Sequence, residues 1–162
     1  MDAARVGDEP SVRLLTDDGV RVLEFNARLG DPETQALLPR LEGDLLDALA
    51  AAASGRAVET LRERSDAAVT IVLTGPEYPE RSDYAGAPID GIAEAETDGA
   101  LVFQGGTAMR DGRLVTNGGR ILSVTAVAPE LEQARRRAYE AVERVSFEGV
   151  RFRRDIAAVA GG

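Results

Sequence analysis

Apolar and polar residues alternate over two neighbouring stretches near the start of the chain, 11–16 and 20–26. A period of two is typical of β-strands that bury one face. Asp17, Asp18 and Gly19 separate the two stretches and favour a tight turn. The pattern therefore predicts a β-hairpin whose second strand is 20–26.

Polar side chains recur at every second position at the end of that second strand. Glu24, Asn26 and Arg28 are expected to share one face, because residues two apart on a strand point the same way. A carboxylate and a carboxamide oxygen suit a hard cation such as Mg²⁺, which completes its shell with water and substrate phosphate. Arg28 can bind an anionic oxygen through a forked contact. The face indicates a metal–phosphate site, although the same pattern is also typical of a solvated strand face.

The next residues predict a turn and the start of a helix. Gly30 permits a sharp turn. Asp31 and Pro32 are typical of a helix N-cap and first helical position, and Glu33 lies where the helix dipole favours a negative charge. A polar loop between a strand and a helix is a common place for function.

The rest of the chain alternates between helical and strand patterns. Leucines and alanines at helical spacing predict an amphipathic helix over 40–54 with its leucines in the core, ended by Gly55. A second apolar stripe predicts a helix over 130–145. Runs of strand-forming residues predict further strands at 67–74, 89–92, 100–104, 107–109, 114–116, 121–127 and 147–152. Loops are expected at 56–66, where a short helix is an alternative, and at 75–86. This order predicts an α+β fold with a mostly antiparallel sheet.

Composition narrows the chemistry. The 162 residues carry a net charge of −9, with neither Lys, His nor Cys. An acidic chain argues against a nucleic-acid-binding surface. Without a long apolar run or a secretory signal pattern, we expect a cytoplasmic protein that does not bind membranes. Catalysis would depend on carboxylates, Arg, amides, hydroxyls and bound metal.

Four runs of residues resemble one enzyme family. Residues 24–35 read Glu-Phe-Asn-Ala-Arg-Leu-Gly-Asp-Pro-Glu-Thr-Gln. This run resembles the signature near the end of the ATP-grasp domain in the phosphoribosylamine–glycine ligase (glycinamide ribonucleotide synthetase) family, with Leu29 where the family usually has Phe. Residues 116–126, 138–142 and 152–156 resemble further stretches of that family. The resemblance extends from about residue 12 to residue 156.

The resemblance implies how the chain is organised. Residues 1–60 would form the C-terminal end of an ATP-grasp domain, a hairpin plus a helix that carries the metal-binding strand. Residues 61–162 would form a small, mostly antiparallel C-terminal domain with one helix. The family's adenine contacts, glycine-rich phosphate loop and phosphate-binding Lys lie upstream. We interpret the glycine pairs at 105–106 and 118–119 as turn residues, so we expect feeble ATP binding and no ligase activity from this chain alone. The chain is then either a fragment or half of a split enzyme whose other chain supplies the N-terminal part.

The resemblance also implies a reaction and residue roles. The family joins glycine to 5-phosphoribosylamine in purine biosynthesis, using ATP and passing through glycyl phosphate. Glu24 and Asn26 would hold Mg²⁺ or Mn²⁺ against the ATP phosphates, and Arg28 would stabilise the transferring phosphoryl group or the acyl phosphate. Asp31 and Glu33 would place the amine substrate, although helix capping explains Asp31 nearly as well.

Some positions depart from the family pattern, and two alternatives stay open. Residues 104–107 read Gln-Gly-Gly-Thr where the family commonly has His-Ala-Gly-Thr. Glu77 stands where a Gly is common, before Tyr-Pro, and Asp90 replaces a usual hydroxyl residue. One alternative is another ATP-grasp carboxylate–amine ligase, such as a biotin-carboxylase-like protein, whose following residues include a His that this chain lacks. The other is a non-catalytic interaction module or orphan fragment.

Overall fold

The structure, a computed structural model, describes residues 11–16, 19–25, 28–57 and 61–158. It divides into two compact units between Thr34 and Gln35. No helix in the described ranges is both long and apolar enough to cross a membrane. The division into domains at residues 60 and 61 stays a prediction.

The first unit contains the predicted hairpin. Strand β1 (Ser11–Thr16) pairs antiparallel with β2 (Gly19–Phe25), and the register places Val12 opposite Glu24. The register shifts after Val12, so the pairing is irregular at the open end of the hairpin. The alternation of the sequence is confirmed as a hairpin, and β2 is described as far as Phe25.

A short helix follows this turn. Helix α1 (Glu33–Leu37) continues into a 3-10 helix over Leu38–Arg40. Pro32 lies in the turn before α1, so the prediction that it takes the first helical position is wrong by one residue. The α-helix gives way to the 3-10 helix just before Pro39, which has no N–H to continue the α-helical hydrogen bonds.

The next helix is shorter than the sequence predicts. Strand β3 (Leu41–Glu42) is followed by α2 (Leu45–Ala53), and then by β4 (Arg62–Glu63), which pairs with β3. The predicted helix over 40–54 is therefore wrong in its first turn. Gly43 has a φ of +119°, which interrupts any continuous helix before α2. The segment 56–66, predicted as a loop or short helix, contains β4 instead.

Both ends of α2 are capped. The Asp44 carboxylate accepts a hydrogen bond from the Asp47 amide at 2.9 Å, as an N-cap residue does. At the other end, the amides of Gly55 and Arg56 donate to the carbonyls of Ala52 and Ala51 at 3.1 and 3.0 Å. With a φ of +68°, Gly55 completes a Schellman motif, which confirms the prediction that it ends the helix.

The downstream elements form two antiparallel sheets and two helices. In chain order they are β5 (Ala67–Thr74), β6 (Ala85–Pro88), α3 (Ile92–Glu96), β7 (Leu101–Gln104), β8 (Thr107–Arg110), β9 (Arg113–Asn117), β10 (Arg120–Ala128) and α4 (Leu131–Val142). The strand orders are β5-β10-β7 and β6-β9-β8. The described strands pair antiparallel throughout, so the predicted α+β class is confirmed. The C-terminal part contains two helices, and the prediction of one is wrong.

The core lies between the first of these sheets and α4. Six consecutive residues of β10, from Ile121 to Ala126, are buried, as expected of a central strand covered on both faces. Helix α4 turns a stripe of small residues toward this sheet, and Ala134 and Ala138 are completely buried. Small side chains let the helix lie close to the strands, while its charged residues face water.

The second sheet differs from the prediction at its edges. Strand β6 lies in and beyond the segment 75–86, which was predicted as a loop. The strand predicted at 89–92 is wrong: Asp90 forms only an isolated bridge with Ser146, and Ile92 begins α3.

The C-terminal segment is held by side chains more than by strand pairing. Arg151 forms an isolated bridge with Thr74, and the strand predicted at 147–152 does not form. Instead, the Tyr139 hydroxyl donates to the Arg153 carbonyl at 2.8 Å, and Arg135 Nε donates to the Ile156 carbonyl at 2.9 Å. Both donors project from α4, which fastens the segment along that helix.

Candidate functional site

The structure places part of the predicted metal–phosphate face at the end of β2. Glu24 occupies the next-to-last position of that strand. Asn26 lies outside the described residues, as does the side chain of Glu24, so their shared face stays a prediction. Arg28 follows in a bend after the strand, where its side chain is exposed and Nη1 donates to the Leu29 carbonyl at 3.0 Å. An exposed guanidinium at this point is accessible to an anionic ligand from solvent.

The turn after Arg28 brings Glu33 back onto Gly30. A Cβ atom on Gly30 would lie 2.5 Å from Glu33 Oε2 and 2.8 Å from Glu33 Cδ, so the carboxylate occupies the space that a side chain would need. The Thr34 amide donates to the Gly30 carbonyl at 3.0 Å, and the Thr34 hydroxyl donates to the same oxygen. These two bonds close the turn, and the Glu33 carboxylate lies over Gly30 within it. Asp31 is exposed on the same turn.

The described residues contain no group of three or more His, Cys, Asp or Glu side chains that could enclose a metal ion. The residues near the end of β2 offer a cation oxygen ligands only, from carboxylate and amide groups. That donor chemistry fits Mg²⁺, which usually takes one or two protein carboxylates and keeps water and phosphate in its shell. The sequence supplies such a donor set in Glu24 and Asn26.

Three loops that are far apart in sequence meet at the ends of the two downstream sheets. The amide of Gly75 donates to the Gly119 carbonyl at 2.9 Å, and the amide of Gly118 donates to the Tyr84 carbonyl at 2.9 Å. A Cβ atom on Gly118 would lie 3.0 Å from the Gly106 Cα, so these two backbones touch directly. Sequence reasoning missed this convergence, because nothing local in the three loops indicates that they meet.

The same contacts explain the glycine pairs at 105–106 and 118–119. The amides of Gly105, Gly106 and Gly118 already donate to the carbonyls of Ile121, Arg120 and Tyr84, at 3.0, 2.8 and 2.9 Å. A phosphate-cradling loop needs amides that are free to point at its ligand. The glycine pairs lie in bends between strands, which supports their interpretation as turn residues.

The comparisons with known proteins agree on one enzyme. Residues 68–159 match the family described as phosphoribosylglycinamide synthetase, C domain. The chain is 46% identical over 153 residues to the phosphoribosylamine–glycine ligase of Streptomyces coelicolor, covering 91% of this chain and 36% of that protein. It is 44% identical over 146 residues to the trifunctional purine biosynthetic protein adenosine-3 of Bos taurus, covering 88% of this chain and 14% of that protein.

A solved structure shows the same likeness in three dimensions. The crystal structure of phosphoribosylamine–glycine ligase from Thermotoga maritima matches with a TM-score of 0.74 and 36% identity, over 90% of this chain and 35% of that chain. The chain spans about a third of the length of the single-function ligases that it matches.

Proposed function

We propose, from the premise that this chain belongs to the phosphoribosylglycinamide synthetase family, that it supplies the C-terminal part of a phosphoribosylamine–glycine ligase. The proposed reaction joins glycine to 5-phosphoribosylamine at the expense of ATP, and it belongs to purine biosynthesis in the cytoplasm. The observation that carries the proposal is the extent of the likeness. It covers 91% of the chain at 46% identity. The names of the compared relatives favour this reaction over another ATP-grasp ligase or a non-catalytic module.

We assign the metal-binding role to Glu24 and Asn26. Glu24 is the next-to-last residue of β2, and Asn26 is the next residue in the sequence after that strand. The carboxylate and the amide oxygen would hold Mg²⁺ or Mn²⁺, which would neutralise charge on the ATP phosphates. ATP itself would bind mainly to the part of the ligase outside this chain.

Arg28 is proposed to contact the group that is transferred. Arg28, whose guanidinium is exposed, lies three residues beyond the end of β2. A fixed positive charge there would stabilise the negative charge on the phosphoryl group or on the glycyl phosphate. Asp31 and Glu33 are proposed to place the amine of phosphoribosylamine, and the Glu33 carboxylate lies over Gly30 in the same turn.

The chain is proposed to be incomplete as an enzyme. Residues 1–60 would be the end of an ATP-grasp domain, and 61–162 the small C-terminal domain. Roughly two thirds of the Streptomyces relative lies outside the match. A second chain, or the same polypeptide extended upstream, would supply the missing part. We therefore expect no turnover from the 162 residues alone.

Reconstitution tests this proposal. The chain is mixed with, or fused to, the upstream part of the Streptomyces coelicolor ligase, and glycinamide ribonucleotide formation is measured against Mg²⁺ concentration. We expect the reconstituted ligase to turn over. Glu24→Gln should slow this turnover by an amount equivalent to roughly 3 to 4 kcal/mol of transition-state stabilisation, because one charged contact is lost. Glu132→Gln on the exposed side of α4 is the matched control and should leave turnover unchanged. Unaltered Mg²⁺ dependence in Glu24→Gln would remove the metal assignment, and turnover by the isolated chain would show that it is not incomplete.

A further inference from the structure

Helix α2 exposes an apolar stripe to water. Eight of its nine residues are Leu or Ala, yet only Ala51 is buried. Leu46 is 78% exposed and Leu49 is 53% exposed, so the prediction that the leucines of this helix lie in the core is wrong for Leu49. Ala50 and Ala53 are exposed as well.

These four residues form a continuous stripe. Leu46, Leu49, Ala50 and Ala53 stand at positions i, i+3, i+4 and i+7, the spacing that aligns side chains along one face of a helix. We call this stripe the docking face. None of its members is charged, and the single acidic residue of the helix, Asp47, lies off the stripe. Such a pattern is typical of a helix that packs against another apolar surface.

The energetics favour a covering partner. An isolated helix of nine residues is marginal in water, and most helical stability in proteins comes from packing an apolar face. The caps at Asp44 and Gly55 stabilise the ends of α2 but bury none of its leucines. A partner that covered the two exposed leucines would remove apolar surface from contact with water, which is a main driving force of association.

We propose that the docking face packs against the upstream part of the ligase, which is absent from this chain. This inference rests on the proposed function. The family match begins at residue 68, so α2 lies between that domain and the roughly two thirds of the ligase outside the match. A second copy of this chain is a less suitable occupant, because a net charge of −9 opposes self-association. The partner surface must be apolar, since the docking face offers no charge to complement.

Binding to the separately expressed upstream part of the Streptomyces coelicolor ligase tests the inference. Titration calorimetry is performed with the full chain and with its Leu46→Gln and Leu49→Gln variants. Gln keeps the helix propensity and the net charge and removes only the apolar end of the side chain. We expect each variant to weaken binding about tenfold or more, since a tenfold change in Kd corresponds to about 1.4 kcal/mol.

Leu131→Gln provides the matched control. Leu131 is also an exposed helical leucine, 44% exposed at the start of α4, and it lies outside the docking face. Its variant should bind as the unaltered chain does. Because all three leucines are exposed, the variants should unfold at the same temperature as the unaltered chain, which separates lost binding from lost folding.

Several results would overturn the inference. Unchanged binding by both α2 variants would do so, as would the absence of any complex with the unaltered chain. Sedimentation showing a dimer of this chain that Leu46→Gln abolishes would assign the face to a second copy instead. Turnover of the fused protein separates this inference from the proposed function. If the fused protein turns over and the α2 variants bind as tightly as the unaltered chain, only the docking face is refuted. If the complex forms but shows no turnover, only the proposed function is refuted.

Discussion

A Cβ atom on Gly91 would lie 1.8 Å from the carbonyl oxygen of Arg144, so these two residues meet through their backbones alone. The approach is imposed by a two-bond bridge, in which the amides of Asp90 and Ser146 donate to each other's carbonyls at 3.0 Å. Gly91 also has a φ of +86° and starts α3. This contact joins the start of α3 to the end of α4.

Gly91→Ala should therefore be strongly destabilising. The left-handed backbone costs a non-glycine residue roughly 1 to 2 kcal/mol, and the clash with Arg144 adds roughly 1 to 3 kcal/mol of overpacking. Chemical denaturation of the full chain measures the free energy of unfolding. Gly99→Ala is the control, because Gly99 has a φ of +80° and no atom within 4 Å of the added Cβ. Equal losses in the two variants would show that the contact with Arg144 is unimportant.

Two threonine hydroxyls across the central strands should be energetically coupled. The Oγ1 atoms of Thr70 and Thr125 lie 2.7 Å apart, and Thr125 is completely buried. We expect Thr125→Val to lower the free energy of unfolding by roughly 0.5 to 1.5 kcal/mol, the usual net contribution of a hydrogen bond. The double variant with Thr70→Val should cost less than the sum of the single variants, because no hydroxyl is then left without its partner. Strict additivity in denaturant unfolding would contradict this coupling.

Tyr84 should make the stability of the fold depend on alkaline pH. Burial raises the pKa of the Tyr84 phenol, with the nearby Glu148 carboxylate as a second cause, and its hydroxyl donates to the Glu148 carbonyl. Because the pKa of the Tyr84 phenol is higher in the folded chain than in the unfolded chain, the phenol ionises more readily once the chain has unfolded. The stabilisation is therefore complete below about pH 10 and is lost as pH rises through the raised value.

Comparison of the unaltered chain with Tyr84→Phe isolates this effect. At neutral pH the variant should be less stable by roughly 0.5 to 1.5 kcal/mol, since one hydrogen bond is lost. The difference in the free energy of unfolding between the two proteins should narrow above about pH 10, because Tyr84 then ionises in the unfolded chain and this favours unfolding. Denaturant unfolding between pH 8 and 11 measures the gap, and a gap that widens would show that the sign is wrong.

The contact between Gly30 and Glu33 predicts a coupled effect on the reconstituted ligase. Gly30→Ala should push the Glu33 carboxylate away, because the new Cβ would lie 2.5 Å from Oε2. If Glu33 places the amine substrate, Gly30→Ala and Glu33→Gln should both raise the KM for phosphoribosylamine. The expected size is about 1.5 to 3 kcal/mol, the usual contribution of a hydrogen bond to a charged group.

The double variant sharpens this test. Gly30→Ala combined with Glu33→Gln should be no worse than either change alone, because both act through one carboxylate. Glu132→Gln, far along the chain on α4, should leave the KM unaltered. Additive losses would mean that Gly30 acts through the turn itself and not through Glu33.

Local periodicity was sufficient where an element depends on its own residues. The alternation at 11–16 and 20–26 predicted the hairpin, and the buried runs at 67–74 and 121–127 predicted β5 and β10. Such patterns indicate which side chains become buried, and they can be recognised from consecutive residues alone. The run 24–35 likewise indicated the family from sequence alone, while the shared face of Glu24 and Asn26 stays a prediction.

The errors arose where a distant segment decides the local structure. Leu41 and Glu42 leave the predicted helix because they pair with Arg62 and Glu63, twenty residues away. The strand predicted at 89–92 gives way to α3 because Asp90 is bridged to Ser146, near the end of the fold. A helical or strand pattern contains no information about such partners, so a propensity of a few tenths of a kcal/mol per residue is overridden by tertiary pairing.

The sequence by itself determined the α+β class, the main strands, the long helix α4 and the family of the chain. Only the tertiary structure decided that the amides of Gly105, Gly106 and Gly118 donate to carbonyls of other segments. It also decided that Leu46 and Leu49 point into water. The physical reason is that the spacing of apolar residues indicates which side chains favour burial. Which surface packs over them depends on the rest of the polypeptide.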